Sequence, residues 1–234
     1  MKLLAIDTST ERMSLAVCHH AQVWRHDAPG AAQASRQLIP AVMSLLAQAR
    51  LPLSEVQAIA FGRGPGAFTG LRTACSVAQG LALGAGLPVL PVDTLLCLAE
   101  SVRLQHSRVL ALLDARMGQV YAAAYEWQNE NWQVLMPVQL AAPDQLQLPA
   151  AWAEQSFALA GNAMAAHRTG LQHLLSQNAH EIDVWPRADA MLALATSAWE
   201  RGEAVDAALA LPLYVRDDVA RTTAQRLADK AAAA

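Results

Sequence analysis

Two aspartates follow similar apolar runs in the two halves of the chain, and each of them begins a polar turn. Asp7 ends the run LLAID and precedes Thr8, Ser9 and Thr10, whereas Asp114 ends the run VLALLD. A carboxylate beside hydroxyl groups at such a turn can hold a hydrated Mg²⁺ ion and contact phosphate oxygens. The same side chains can instead bond to nearby backbone N–H groups and only shape the turn. The residues by themselves slightly favour the structural interpretation.

A glycine-rich segment, FGRGPGAFTGLR at residues 61–72, lies between an apolar run and a helix-like run. It fails the phosphate-loop pattern G-x-x-x-x-G-K-[ST], because no lysine follows any of its glycines. Gly62, Gly64 and Ala67 fit G-x-G-x-x-[GA], but the segment does not open the first βα unit. A tight strand-to-helix turn with close backbone contacts is therefore favoured, although Arg63 and Thr69 could still face a ligand. The positions of this signature are Gly62, Arg63, Gly64, Pro65, Gly66, Phe68, Thr69 and Gly70.

The helix predicted after this segment carries small residues on more than one side. Ala74 and Ala78 are spaced by four, and Gly80 and Gly84 repeat that spacing elsewhere on the helix. Such a helix can pack closely against its own sheet and against a second neighbour. The second neighbour is either the helix predicted over residues 35–49 or another protein chain. The residues predicted for a partner interface are Leu38, Val42, Leu71, Ala74, Ala78 and Leu81. Arginine at Ala74 or Ala78 is then expected to break association and to leave the chain folded.

The pattern of apolar residues predicts an α/β chain made of two similar halves. The first half has the order βββαβαβα: an antiparallel three-stranded meander, then helices and strands that alternate. Its last helix begins after Asp93, a predicted N-cap. The second half repeats this order in outline, with a helix over 163–175 and a strand over 182–185. We expect two lobes, residues 1–105 and 106–234, with a cleft between them where ligands usually bind.

Composition narrows the class of protein. The chain has 234 residues, 54% of them hydrophobic, and a net charge of -3, so it lacks the basic footprint of a dedicated nucleic-acid binder. Cys18, Cys75 and Cys97 have no metal-ligand spacing, which indicates a reduced, cytoplasmic setting. The apolar run at the N-terminus is too short for a signal peptide. Residues 73–92 are uncharged but contain glycines and prolines, which favours a buried helix and strand over a membrane span.

Several segments together resemble the TsaB, or YeaZ, family. They are LLAIDTST, IAFGRGPGAFTGLR, VAQGLALG, LDARMGQVYAAAY and the late PLYVRDDVA. The resemblance implies a two-lobed actin/hexokinase-like (ASKHA) fold. It also implies a non-catalytic role in bacterial biosynthesis of N6-threonylcarbamoyladenosine (t6A) in tRNA. Members of this family pair with the catalytic subunit TsaD, are bound as a pair by the ATPase TsaE, and form homodimers when alone through helices of the first lobe.

The resemblance also implies that catalytic features are missing here. The His-x-x-x-His metal motif of the catalytic relative falls on Thr94 and Leu98, and Leu98 cannot bind a metal. A histidine that many members carry is replaced by Ala34, and Arg116 stands where a nucleotide site of this type usually has a small residue. No catalytic residue, metal or cofactor is therefore expected. The vestigial nucleotide positions are Asp7, Thr8, Ser9, Thr10, Asp114 and Gly161.

Two other functions remain open at this stage. One is a stand-alone ATP-dependent kinase or hydrolase that uses Asp7 and Asp114. The other is a homodimer without a TsaD-like partner. The C-terminal tail carries Arg216, Arg221, Arg226 and Lys230, which could contact tRNA, although a solvated tail is favoured and tRNA is expected as an indirect partner only.

Overall fold

The computed structural model describes residues 1–20, 22–30 and 34–216 of the chain. The first half begins with three strands and continues with alternating helices and strands, as the sequence predicts. Its elements are β1 (Leu3–Asp7), β2 (Arg12–His19), β3 (Gln22–Pro29), α1 (Ala34–Gln48), β4 (Ala58–Gly64), α2 (Phe68–Ala85), β5 (Val89–Asp93) and α3 (Thr94–Val102).

The second half repeats the three strands and then departs in detail. Its elements are β6 (Arg108–Asp114), β7 (Val120–Gln128), β8 (Asn131–Ala141), β9 (Phe157–Gly161), α4 (Ala163–His167), α5 (Gln172–Leu175), β10 (Ala179–Ile182) and α6 (Ala188–Glu200). Short 3-10 turns lie at residues 53–55, 143–145, 150–152 and 207–209.

Both halves form five-stranded sheets with the same strand order. The first sheet runs β3-β2-β1-β4-β5 and the second runs β8-β7-β6-β9-β10. In each sheet the first three strands are antiparallel, and the other two join in parallel. Asp7 and Asp114 end equivalent strands, at pairs with Ser14 and Val120. The predicted duplication is confirmed at the level of sheet topology.

The strands bury side chains on both faces, since successive residues of a strand point to opposite sides. Along β1, Leu4 and Ile6 lie in a core with α1 and α2, whereas Leu3 and Ala5 lie in a core with α6. Strand β6 alternates in the same way between α3 on one face and α4 with α5 on the other. Helices α3 and α6 thus lie between the two sheets, and each packs against the other half of the chain. The division of the chain into lobes near residue 105 stays a prediction.

Three details of the second half differ from the predictions. No helix equivalent to α1 forms, because Pro143 and Pro149 interrupt the segment, and the buried Trp152 covers that face of the sheet instead. The helix predicted over 163–175 is split into α4 and α5 around Gly170, where a Cβ atom would lie 2.9 Å from Pro143 Cβ. Strand β10 ends at residue 182, where the predicted strand was to begin.

Helix α2 has two neighbours besides its own sheet. It shares a core with α1 and with Ala207 and Ala210, which return from the end of the described chain. The helix ends at Gly86, which has a left-handed φ of 68°. Asp93 does precede α3, but its side chain makes no capping bond and instead forms an ion pair with Arg63. No helix of the described residues is long and apolar enough to cross a membrane.

Candidate functional site

The turn Asp7–Thr10 is buried, and each of its four side chains has a polar atom that is hydrogen-bonded within the chain. Asp7 Oδ1 accepts hydrogen bonds from the Ser9 backbone N–H at 3.0 Å and from the Ser9 hydroxyl at 2.7 Å. The Thr8 hydroxyl donates to the Gly70 carbonyl oxygen at 2.7 Å, and Thr10 Oγ1 accepts from the Arg12 N–H. These four residues are at most 8% exposed. The side chains thus shape the turn, the structural alternative considered for the sequence.

The glycine segment packs directly against this turn. A Cβ atom at Gly62 would lie 2.0 Å from Asp7 Oδ2, at Gly66 2.4 Å from the Ser9 carbonyl oxygen, and at Gly70 1.8 Å from the Thr8 carbonyl oxygen. Real Cβ contacts are essentially never shorter than 3.0 Å, so the backbone contacts at Gly66 and Gly70 require glycine, whereas a side chain at Gly62 would have to displace the Asp7 carboxyl. The glycine signature is explained by backbone packing, and the segment that resembled a phosphate loop covers the turn.

The rest of the signature is divided between strand and helix. Gly62, Arg63 and Gly64 belong to β4, whereas Phe68, Thr69 and Gly70 form the first turn of α2. The connection is therefore only Pro65–Ala67, and a cis peptide joins Gly64 to the buried Pro65. Gly64 has a left-handed φ of 123°, and a Cβ there would lie 2.6 Å from the Leu213 carbonyl oxygen.

The second oxygen of Asp7 has an apolar environment. Asp7 Oδ2 is buried and has no hydrogen-bond partner among the described residues. Burial raises the pKa of the Asp7 carboxyl to about 6, although the bonds from Ser9 act in the opposite direction. A carboxylate that must bind a metal needs to be ionised and accessible. With this pKa Asp7 is mostly ionised at pH 7, but it is only 1% exposed and therefore not accessible to a metal ion.

The equivalent turn of the second lobe has a different environment. Asp114 Oδ1 lies within hydrogen-bond distance of His167 Nε2, at 2.9 Å, and Arg116 Nη1 lies 3.1 Å from its other oxygen. Burial raises the pKa of Asp114, but the bonds from His167 and the Arg116 backbone outweigh it, and the pKa is lowered. Arg116 also reaches across the cleft to Glu11 at 3.0 Å. An arginine of the chain itself thus lies beside the Asp114 carboxylate.

Gly161 ends β9, parallel to β6. It has a left-handed φ of 136°, and a Cβ there would lie 1.9 Å from the Leu112 carbonyl oxygen. The absence of a side chain is therefore required by the neighbouring strand. Close approach to a ligand base is not needed to explain this glycine.

A cleft of about 550 Å³ lies between the two turns. It brings together seven of the predicted nucleotide and glycine-signature positions, namely Ser9, Thr10, Gly66, Phe68, Thr69, Gly70 and Asp114. Among the predicted positions that do not line it are Asp7, Thr8, Gly62, Arg63, Gly64 and Gly161.

Sequence reasoning missed Glu11 and Tyr214, which also line the cleft, and Arg72 at its rim. The guanidinium of Arg72 lies 3.7 Å from the Phe68 ring centre, and its Nε donates to the Tyr214 hydroxyl at 2.9 Å. Only the late YVR segment could have signalled this contact.

Most of the predicted partner-interface residues lie in the chain's own core, and this prediction was wrong for them. Each is at most 2% exposed because it faces the first sheet or the adjoining helix. These residues are Leu38, Val42, Leu71, Ala74 and Ala78. Leu81 is partly exposed, and the outward side of the two helices carries Ile39, Met43 and Leu83. An arginine at Ala74 or Ala78 could be accommodated only if the core unfolded, so the expectation that such a variant stays folded was wrong.

The positions that correspond to the metal motif of the catalytic relative are also buried. Thr94 and Leu98 are fully buried, and Leu98 packs against the second sheet. Within residues 1–20, 22–30 and 34–216, no group of three His, Cys, Asp or Glu side chains could hold a metal ion. Arg221, Arg226 and Lys230 of the tail lie outside the described residues.

The chain is similar to proteins of tRNA modification over nearly all of its length. A family model described as "TsaD: tRNA N6-adenosine threonylcarbamoyltransferase" matches residues 29–224. The tRNA threonylcarbamoyladenosine biosynthesis protein TsaB of Escherichia coli (strain K12) is 33% identical over 94% of this chain and 96% of its own length. The TsaB protein of Haemophilus influenzae is 31% identical over 94% and 95%. The structure of YeaZ from Pseudomonas aeruginosa has a TM-score of 0.81 at 38% identity, covering 91% of this chain and 99% of its own.

The chain has two topologically equivalent sheets, each with an aspartate at the same strand end, and a cleft lies between them. These features define a two-lobed α/β protein of the actin/hexokinase-like type. The similarity extends over nearly the full length of this chain and of its relatives, and it shows the family. The chain belongs to the TsaB (YeaZ) family, and the TsaD family model matches most of it.

The glycine packing predicts a strong effect of one added methyl group. Gly70→Ala is expected to lower the free energy of unfolding by about 1–3 kcal/mol, because its Cβ would overlap the Thr8 carbonyl oxygen. Gly80→Ala, in the same helix but with nothing within 4 Å of its Cβ, is expected to raise it by about 0.5–1 kcal/mol. Urea denaturation measures both. Equal stability of the two variants would contradict the packing explanation.

The burial of Asp7 predicts a pH dependence of stability. The carboxyl pKa is about 6 in the folded chain against 3.8 as the ordinary value, so protonated Asp7 favours folding. This contribution, on the order of 3 kcal/mol, is fully present below about pH 4 and is lost as the pH rises through about 6. Asp7→Asn should remove that slope, which denaturant titrations between pH 4 and 7 measure. The unfavourable burial of the Asn amide would not vary with pH.

A carboxyl with the opposite shift provides the control for this measurement. Arg201 bonds to the exposed Glu203 and lowers its pKa below the ordinary 4.5, so the contribution of this carboxyl is present above about pH 4.5 and is lost only at lower pH. Glu203→Gln should therefore leave the slope of stability between about pH 5 and 7 unchanged. Parallel stability curves for wild type and Asp7→Asn from pH 4 to 7 would show that Asp7 is ionised in the folded chain.

Proposed function

We propose that the chain is a non-catalytic scaffold subunit of the complex that transfers threonylcarbamoyl to adenosine 37 of tRNAs that read ANN codons. In this role it binds and supports the catalytic subunit TsaD, and the ATPase TsaE binds the pair. The names of its relatives, tRNA threonylcarbamoyladenosine biosynthesis proteins, support the pathway. The proposal extends that pathway to a particular role, for which the site provides the argument.

The observation that carries the proposal is the covered turn at Asp7. In an active site of this architecture, the turn after β1 has to meet a phosphate or its metal ion. Here three glycines bring the β4–α2 segment onto the turn, and Asp7 is only 1% exposed. A ligand could reach Asp7 only if that packing were broken.

The second turn supports the same conclusion. Asp114 already has two cationic or hydrogen-bonding neighbours, His167 and Arg116, and Arg116 joins it to Glu11 of the opposite lobe. A metal ion would have to compete with this arginine for the Asp114 carboxylate. The Asp7 and Asp114 pair is therefore not arranged as a kinase or hydrolase site, and that alternative is not favoured.

A peptidase function also finds no support in the geometry. One related structure is described as an uncharacterised protein with similarity to peptidase YeaZ, at 38% identity and a TM-score of 0.80. Ser9, the buried hydroxyl of the first turn, donates to Asp7 and is 1% exposed. A catalytic nucleophile has to be accessible to the substrate carbonyl, and it has to lie within hydrogen-bond distance of a base. Ser9 has an acid beside it but no access to a peptide.

For the partner surface we infer the outward side of α1 and α2. Ile39, Met43 and Leu83 are each about half exposed, at 48%, 49% and 58%, and they lie on helices whose inner sides fill the core. An interface of about 800 Å² per partner would be ordinary for such a complex. The same side would serve a homodimer when TsaD is absent, in the cytoplasm, with tRNA contacted mainly by the partner.

The scaffold role predicts that the isolated chain does not turn over ATP. Titration calorimetry with Mg-ATP should give no micromolar binding, and phosphate release should equal that of the Asp7→Ala variant, because Asp7 is covered. Micromolar binding together with turnover that Asp7→Ala abolishes would overturn the proposal and favour a kinase or hydrolase.

The surface assignment predicts opposite behaviour for exposed and buried positions of α2. Leu83→Arg should leave the chain folded but reduce co-purification with the cell's TsaD-like protein at least about tenfold, because a charge would enter an apolar contact. The t6A content of tRNA from cells that carry only this variant should fall in parallel. Ala78→Arg should fail to fold, since Ala78 is fully buried.

A second exposed leucine outside these helices provides the matched control. Leu104 is 89% exposed and follows α3, so Leu104→Arg should bind the partner and support t6A formation as the wild type does. If Leu83→Arg assembles as well as Leu104→Arg, the docking surface lies elsewhere.

A further inference from the structure

A segment near the end of the described chain, residues 205–216, connects the two lobes; we name it the strap. It begins at the edge of the first sheet, where Val205 and Val89 exchange both backbone hydrogen bonds at 2.9 Å. Its Ala207 and Ala210 are buried in the core beside α2. The side chain of Gln79 on α2 donates to the Ala207 carbonyl oxygen at 3.0 Å. This end of the strap is therefore part of the first lobe.

The middle of the strap lies on the glycine segment and on the start of α2. The Leu213 N–H donates to the Arg63 carbonyl oxygen at 2.6 Å, and Gly64 leaves room for the Leu213 carbonyl. The Tyr214 hydroxyl accepts from Arg72 Nε at 2.9 Å, and its ring lies 5.3 Å from that of Phe68. Here the strap forms one wall of the cleft.

The far end belongs to the second lobe. Val215 packs against the core formed by α3 and the second sheet. Arg216 donates from Nη2 to the Ala115 carbonyl oxygen at 2.9 Å, and its Nη1 lies 3.0 Å from Met117 Sδ. Within four residues, Leu213 to Arg216, the strap passes from the glycine segment of one lobe to the β6–β7 turn of the other.

The turn that Arg216 holds has an unfavourable backbone conformation. Arg116, Met117 and Gly118 have successive left-handed φ values of 62°, 54° and 73°. Residues with a side chain rarely adopt this region, and they retain it when surrounding contacts fix them. Within the second lobe, the Arg116 N–H donates to Asp114 Oδ1 at 2.8 Å, and Arg216 of the strap contacts Ala115 and Met117. From the first lobe, Glu11 pairs with Arg116, so the turn depends in part on the strap and on the opposite lobe.

We propose that the strap is a conformational coupling device that links the start of α2 in the first lobe to the Arg116–Gly118 turn of the second. Two contacts define its action: Tyr214 with Arg72 on one side, and Arg216 with the turn on the other. Release of Tyr214 loosens the strap, and the left-handed turn then loses a contact that fixes it. This inference concerns the isolated chain and holds whether or not the proposed scaffold role is correct.

Amide hydrogen exchange tests the coupling directly. The N–H groups of Ala115 and Gln119 are bonded within the turn, to the carbonyls of Gln119 and Arg116, so their exchange reports on its opening. In the full-length chain, Arg216→Ala should accelerate exchange at both amides about tenfold, because it removes a direct contact. Tyr214→Ala should accelerate them as well, by about threefold or more, although Tyr214 has no hydrogen bond to the turn.

Two comparisons decide the outcome. Arg201→Ala removes an exposed ion pair with Glu203, outside the strap, and should leave exchange at the turn unchanged. Amides of the buried strand β9 should exchange at wild-type rates in all three variants. Wild-type exchange at the turn in Tyr214→Ala would overturn the coupling. Equal acceleration in β9 would also overturn it, since it would indicate a general loss of stability.

Discussion

The contact between the β4–α2 segment and the Asp7–Thr10 turn determines both the fold and the character of the cleft. With no Cβ atom at Gly66 or Gly70, backbone approaches backbone, and the first turn of α2 rests on the end of β1. This fixes where α2 crosses the sheet and thus which of its sides is buried. The same approach covers Asp7 and Thr8, which do not line the cleft. One packing interaction therefore shapes the lobe and buries the aspartate at the end of β1.

The two repeated turns illustrate how one topology acquires two electrostatic environments. Asp7 and Asp114 end equivalent strands, but burial raises the pKa of Asp7, whereas hydrogen bonds and a neighbouring cation lower that of Asp114. One oxygen of the first carboxyl is buried without a hydrogen-bond partner among the described residues, and the second carboxyl lies beside Arg116 and His167. Neither carboxyl can take a ligand without a change in its surroundings. Duplication preserved the strand ends, while the surroundings of each aspartate diverged.

Much of the fold was predictable because apolar periodicity and turn residues are local signals. The three-stranded meanders, the equivalence of Asp7 with Asp114, and a helix after the glycine segment all followed from them. The orientation of α2 did not follow, because the spacing of Ala74 and Ala78 defines a side of the helix but not what covers it. The placement of α6 against the first sheet is a tertiary property without a local pattern. Residues 205–216 lack regular periodicity, so the cleft wall with Tyr214 could not be foreseen.

A two-lobed enzyme of this architecture has to admit its substrate, so its lobes need some freedom to separate. In this chain Arg116 joins Glu11 across the cleft, α3 of the first half packs against the second sheet, α6 of the second half packs against the first sheet, and the strap holds both rims. Each link opposes separation of the lobes. Such links would hinder catalysis that requires opening, but they suit a subunit that presents one helical face in a fixed orientation. The covered turn at Asp7 and the links between the lobes are thus both consistent with the proposed scaffold role.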